Sequence, residues 1–521
     1  MEEENVLDCL EEKLRAYITR FDVMIFGSSF GLAMLVHLYM FTHKFINHDD
    51  VGELYGSYQV GLIMGRWLTT VLSGLTGHFS SSWLNGVAGA VFLALACVLM
   101  ARLFRLRRLL PVVLISVCLV AFPTVASTYA YMFCAAPFLF GLAMGVLGAV
   151  LIRKEKLWGL ALGTVCVTLS MSCYQAFFPL TTTLLVTCLI MDVCDDRWSG
   201  DWKAFIRTAL SYVAALAVGM LLYVVILQLQ LAVTGTELTD YAGIDTMGQV
   251  APAVLLERIL TAFRSYALFF LGKQFAVFHP AFYPFALLCV AVNILAVLVC
   301  VVRKKLYRQI GMMIFLLLLL CAFPLSSSLI YVMVETSAIH MLMIYPLVVT
   351  LIIPGVILDR LTLNQHTTGK PARQARMALA LALICLEIIC AHECVLITNR
   401  AYFSMDITYE NVYAYYTKLA AKIELQEGYT PDSLVALSGW ATMTNYVPET
   451  GLTGVLVGNN ALNMYTVRTL LAYFMASSYN FASQEVKDTI CQTVEYQAMP
   501  CYPAQGSIAT INDVIVVKFS N

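Results

Sequence analysis

Residues 281–305 read AFYPFALLCVAVNILAVLVCVVRKK. No charge interrupts 281–302, and Arg303, Lys304 and Lys305 follow at once. A helix needs about 20 apolar residues to cross the hydrocarbon of a bilayer. Basic residues gather at the cytoplasmic ends of such helices. The stretch therefore predicts a span that ends on the cytoplasmic face. Comparable runs lie near 22–42, 83–101, 109–127, 131–151, 157–171, 175–193, 205–231, 310–330, 339–358 and 378–397. With 281–302 they predict about eleven transmembrane helices. The fifth and sixth share one apolar run, broken at Ser170-Met171-Ser172-Cys173.

Composition agrees. The 521 residues are 60% hydrophobic and 12% charged, with a mean hydropathy of +0.78. Soluble domains carry about 25% charge. A net charge of −1 gives no electrostatic footprint for nucleic acid. The sixteen cysteines are scattered, mostly in apolar runs, where they behave as small hydrophobes. No Cys/His spacing marks a metal site. Cys491 and Cys501 could pair in an oxidising compartment. The charged first twenty residues and the run after them lack a cleavage pattern, so this run reads as a retained helix.

Lysine and arginine fix the orientation. Six segments carry 21 of the 32 basic residues. They hold Lys13, Arg15 and Arg20; Arg102, Arg105, Arg107 and Arg108; Arg153, Lys154 and Lys156; Arg197, Lys203 and Arg207; Arg303, Lys304, Lys305 and Arg308; and Arg360, Lys370, Arg373 and Arg376. They fall on alternate loops, so the N-terminus is expected inside and the C-terminus outside. Residues 1–397 form the transmembrane part, with long outer loops at 44–82 and 232–280; the second includes an amphipathic portion from Val254 to Phe275. Residues 398–521 are expected to form a small extracytoplasmic α/β domain. Helical patterns cover Tyr409–Leu425, Leu462–Met475 and Val486–Val494. A β-like run at Leu434–Ser438 and a hairpin joining Ser507–Ile511 to Val514–Phe519 through Asn512-Asp513 complete it.

The first outer loop is the most informative. It holds His48-Asp49-Asp50 and then Gly65-Arg66-Trp67. A carboxylate at the water–lipid boundary suits a general base; it equally suits a helix cap or a solvated loop. Scarce outer basic residues, Arg66, Arg264, Lys273 and Arg400, suit a phosphate or a snorkelling interfacial charge. Tyr174-Gln175 sits at a break between spans, where backbone groups must line a cavity or pack in protein. His279 before Pro280, and Glu335 and His340 in a later outer turn, could face the same cavity or serve as structural and solvated turn residues.

These stretches, in this order, resemble the GtrII-type glucosyltransferases of bacteria, within the GT-C class of membrane glycosyltransferases. The resemblance runs through His48-Asp49-Asp50 and Gly65-Arg66-Trp67, and through Leu169-Ser170-Met171-Ser172-Cys173-Tyr174-Gln175-Ala176. It continues at Asn399-Arg400-Ala401-Tyr402-Phe403 and at Gly506-Ser507-Ile508 with Val514-Ile515-Val516-Val517-Lys518. It implies a GT-C-like polytopic α-helical membrane protein of the bacterial cytoplasmic membrane. It further implies a polyprenyl-phosphate hexose donor, usually glucose, and a cell-surface glycan acceptor. Transfer would invert the anomeric carbon, with Asp49 or Asp50 as base and Arg66 on the donor phosphate. His48 carries no catalytic role. Paired carboxylates beside a phosphate also accommodate a divalent cation. The rivals are a transferase for another sugar, a polymerase or ligase with a diphosphate-linked donor, a lipid-linked glycan flippase, and an envelope scaffold. A flippase would bring half-repeats and mid-membrane charges, and the sequence has neither pattern.

Overall fold

In the computed structural model the described residues are 15, 17–43, 48–56, 61–240, 244, 251–335, 339–363, 370–443 and 464–520. The chain is helical almost throughout. In order come α1 (Arg20–Thr42), α2 (His48–Gly52), α3 (Trp67–Ser73), α4 (Ser82–Phe104), α5 (Leu109–Ala121), α6 (Pro123–Tyr129), α7 (Met132–Ile152), α8 (Leu157–Cys173) and α9 (Phe178–Cys194). They continue with α10 (Trp202–Thr234), α11 (Pro252–Phe270), α12 (Tyr283–Arg303), α13 (Ile310–Ser327), α14 (Ile330–Met333), α15 (Val348–Leu363) and α16 (Lys370–Glu424).

Among the described residues nine helices are long and apolar enough to cross a membrane, or ten if α5 and α6, bent by 47°, make one span. The expected eleven differ in two places. Pro123 bends the third run, because proline removes an N–H from the ladder. The fifth, α8, has only 17 residues, since the chain breaks at Tyr174.

The tightest packing joins α7 to α4 and α8. A Cβ on Gly141 would lie 2.6 Å from Cys173 Cβ, and one on Gly145 would lie 2.9 Å from Thr181 Oγ1. Small residues let helices approach where lipid gives no hydrophobic drive.

One end of the bundle gathers the basic segments into ion pairs. Arg153 meets Asp192 at 2.6 Å, and Arg197 meets Asp192 at 3.0 Å and Glu155 at 2.7 Å. Arg102 meets Asp22 at 2.8 Å, and Arg360 meets Asp195 at 3.0 Å. The Asp359 carboxylate accepts the Arg107 and Arg108 backbone N–H groups at the start of α5. The segments expected on one side of the membrane thus contact one another.

The expected boundary at 397/398 falls inside α16, a single helix of 55 residues. Residues 398–424 contain neither glycine nor proline, so nothing stops the helix until the Gly428 turn. Beyond it a four-stranded sheet has the order β2 (Asn480–Phe481), β1 (Leu434–Ser438), β4 (Val514–Lys518), β3 (Ile508–Ile511). β1 is parallel to both its neighbours, and β3–β4 is an antiparallel hairpin. Asn512 and Asp513 have φ of 49° and 61°, the positive pair a type I′ turn requires. Three helices accompany the sheet: α17 (Met464–Met475), α18 (Gln484–Cys491) and α19 (Val494–Ala498). The single helix expected at Val486–Val494 is divided because the Thr493 hydroxyl caps a new turn at the Tyr496 N–H. Cys491 and Cys501 stand as thiols.

The tail reaches the first long loop. Val51 of α2 is 1% exposed and belongs to the tail's apolar core, with Val412, Tyr416, Leu470 and Leu471. The rings of Tyr55 and Tyr473 lie 5.8 Å apart.

Candidate functional site: an acidic helix and a clamped arginine

The sequence's two adjacent aspartates occupy different surroundings. Asp50 is 0% exposed. Its carboxylate accepts the Met132 and Phe133 N–H groups at 3.1 and 2.9 Å, and the Ser80 hydroxyl at 2.8 Å. The α7 N-terminus has no side-chain cap from its own N-cap residue, Tyr131, so Asp50 supplies one from a distant segment. A carboxylate there satisfies orphan amides and opposes the helix dipole. Burial nevertheless pushes its carboxyl up to about 7, against the pull of those three donors.

Asp49 is half-buried on the same short helix. Its carbonyl accepts the Glu53 N–H at 3.0 Å, and residues four apart on a helix share a face. Cys134, in the first turn of α7, lies within electrostatic reach of Arg66, Asp50, Asp49 and Glu53 together. Asp50 binds the first backbone amides of α7 and Arg66 lies against Phe138 in its second turn, so the acidic helix and the guanidinium meet the same end of α7. Glu53 and Ser80 escaped the sequence reading. The four-residue spacing from Asp49 was a usable signal for Glu53; none existed for Ser80.

Arg66 precedes α3 in a non-helical conformation. Its guanidinium carbon sits 4.8 Å from the Tyr174 ring centre and 5.5 Å from that of Phe138. Those two rings are stacked at 4.5 Å, 11° from parallel. A weakly hydrated, planar cation suits such a floor. Gln175 Nε2 donates to the Met64 carbonyl at 2.8 Å and to the Tyr223 hydroxyl at 3.0 Å. The Tyr223 hydroxyl donates to the Gly65 carbonyl at 2.9 Å. Thr69 Oγ1 donates to the Cys173 carbonyl at 2.9 Å. The Gly-Arg segment and the Tyr-Gln break, 108 residues apart at Arg66 and Tyr174, are thus one structural unit. The Trp67 indole N–H is buried with no acceptor among the described residues.

His340 is half-buried, and burial together with the Arg66 charge holds its imidazole below the usual range. Glu335 is exposed. His279 is exposed, and its ring accepts the Ala281 N–H at 3.2 Å, which starts the turn before α12. Its own N–H donates to the Glu393 carboxylate. Arg264, Lys273 and Arg400 are exposed. Of the four expected phosphate ligands, Arg66 is the one set among the acidic residues. Among the described residues no cluster of three or more His, Cys, Asp or Glu forms a metal cage. An open cleft of about 610 Å³ lies at the end of α10, between Gln228 and Leu238. It adjoins the 61–65 segment, since Thr239 N–H donates to the Ile63 carbonyl at 3.0 Å.

The nine or ten described helices long and apolar enough to cross a membrane make this a polytopic membrane protein. The chain belongs to the GtrII glucosyl transferase family: the family model described as Glucosyl transferase GtrII matches residues 38–351. The matched range takes in α2, Arg66, the Tyr-Gln break and His340, and it ends before α16 and the tail. No curated protein matches the chain.

Proposed function

We propose that the protein transfers glucose from a polyprenyl-phosphate carrier to a cell-surface glycan, with inversion, on the extracytoplasmic face of the bacterial cytoplasmic membrane. Asp49 is the general base that takes the proton from the acceptor hydroxyl. Arg66 binds the donor phosphate and neutralises charge as the phosphate leaves. The observation that carries this reading is that the acidic helix and Arg66 meet one end of α7, Asp50 on its first amides and Arg66 against Phe138. Asp50 is set aside as base because its oxygens already serve three donors in a buried cap. In a single displacement the acceptor oxygen attacks the anomeric carbon, the bond to phosphate breaks, and Asp49 holds the released proton. The tail is the acceptor side of the site, since it packs on the acidic helix through Val51 and Tyr473.

The test is turnover of synthetic prenyl-phosphate glucose by the purified full chain with surface polysaccharide from a strain lacking it. Asp49→Asn is expected to abolish transfer while Asp50→Asn retains it in the folded fraction. Full activity of Asp49→Asn overturns the assignment.

A further inference from the structure

Gln175 and Tyr223 are buried polar side chains, 3% and 7% exposed, at the level of the proposed phosphate site. Such groups line substrate pockets when their polar atoms point into open space. Here those atoms are directed at backbone. The Gln175 amide N–H groups go to the Met64 carbonyl and the Tyr223 oxygen, and the Tyr223 O–H goes to the Gly65 carbonyl. The two peptides they grip are the ones immediately before Arg66. A Cβ on Gly65 would lie 2.6 Å from Tyr223 Oη and 2.7 Å from Gln175 Nε2, and the residue has φ +69°. Only glycine fits both the contact and the conformation. The next link is covalent. Arg66 N–H returns to the Gly61 carbonyl at 2.7 Å, and the Arg66 side chain lies over Tyr174, the residue before Gln175.

We infer that Gln175 and Tyr223 are positioning residues: a hydrogen-bonded latch from the α8–α9 break and from α10 that sets the backbone of Met64–Gly65 and so aims Arg66 at the donor phosphate. Tyr174 supplies the floor and Gln175 the grip, so two neighbouring residues fix one guanidinium from its face and from its stem. Neither latch residue needs to touch substrate. This inference rests on the reading of Arg66 as a phosphate ligand, and it reassigns Gln175 from the cavity wall expected of it.

A double-mutant cycle on the KM for synthetic prenyl-phosphate glucose tests it. Tyr223→Phe removes the hydroxyl and keeps the ring, and Gln175→Leu removes the amide at similar volume. Each is expected to raise the donor KM about tenfold, the weight of one or two buried hydrogen bonds, while the KM for the polysaccharide acceptor stays within about twofold. In an Arg66→Ala background each is expected to add less than about twofold, because the group they aim is gone. Losses that multiply in full with Arg66→Ala overturn the latch and leave the phosphate reading standing. Unchanged donor KM in Tyr223→Phe also overturns it. A normal donor KM in Arg66→Ala overturns both. Should Gln175→Leu fail to fold, Tyr223→Phe and its double variant with Arg66→Ala still decide.

Discussion

The two ends of the helical bundle spend their charges differently. At the end of the basic loops, charges meet charges: Arg153 and Asp192 have side chains only 7% and 4% exposed and lie 2.6 Å apart. At the end of α2, Asp50 holds backbone amides and Arg66 rests on aromatic rings. A paired charge is neutralised by its partner and fixes helix ends. The Arg66 guanidinium is instead held by its face, against the rings of Tyr174 and Phe138. Charge thus ties helix ends together at one end of the bundle and sits against amides and rings at the other.

The largest expected effect is at the acidic end. Asp49→Asn should lower kcat by about 10²–10⁴-fold and leave the unfolding midpoint in detergent unchanged; an equal loss of stability would erase the contrast. Next, Asp192→Ala strands the buried Arg153 and should destabilise by about 3–5 kcal/mol, read in denaturant unfolding, with both KM values unaltered in the folded fraction. Asp50 should behave like the charges at the basic-loop end, despite its neighbour. Asp50→Ala leaves two α7 amides and a hydroxyl without their acceptor and should cost about 1–3 kcal/mol.

Asp50 adds a pH signature. Its folded carboxyl titrates near 7 against an ordinary 3.8. Protonation therefore favours the folded state, and this contribution is complete below the ordinary value. It declines as pH rises towards 7 and is flat above that. Asp50→Asn should flatten that slope in unfolding measured from pH 4 to pH 8. The smallest effect is expected at Arg360–Asp195, whose side chains are 37% and 51% exposed. Arg360→Ala should cost at most about 1 kcal/mol.

Much of this was legible in sequence because a bilayer imposes a simple rule on helix length, and the apolar runs obey it. The hairpin at Asn512-Asp513 was legible for an equally local reason: the turn dictates its residues. What sequence could not show is partnership across distance. Asp49 and Asp50 are adjacent and chemically alike, and only the approach of Met132 and Phe133 separates their roles. Gly65-Arg66 and Tyr174-Gln175 were singled out independently, but their contact, and the part of Tyr223, needed three helices to be placed. The tail boundary at 398 was set by the end of hydrophobicity, whereas a helix ends where its backbone is interrupted.

That uninterrupted helix, α16, has a mechanical consequence. Fifty-five residues at about 1.5 Å each make a strut of roughly 80 Å. From Ala372 to Glu424 it has no glycine or proline to act as a hinge. Whatever leans the membrane-embedded half of such a beam leans the tail domain it carries, and the core of that domain includes Val51 of α2. Bilayer thickness, to which a long span accommodates by tilting, would then become an input to turnover. Reconstitution into lipids of graded chain length should move kcat in the intact chain. A rate indifferent to thickness would mean that the beam transmits no load.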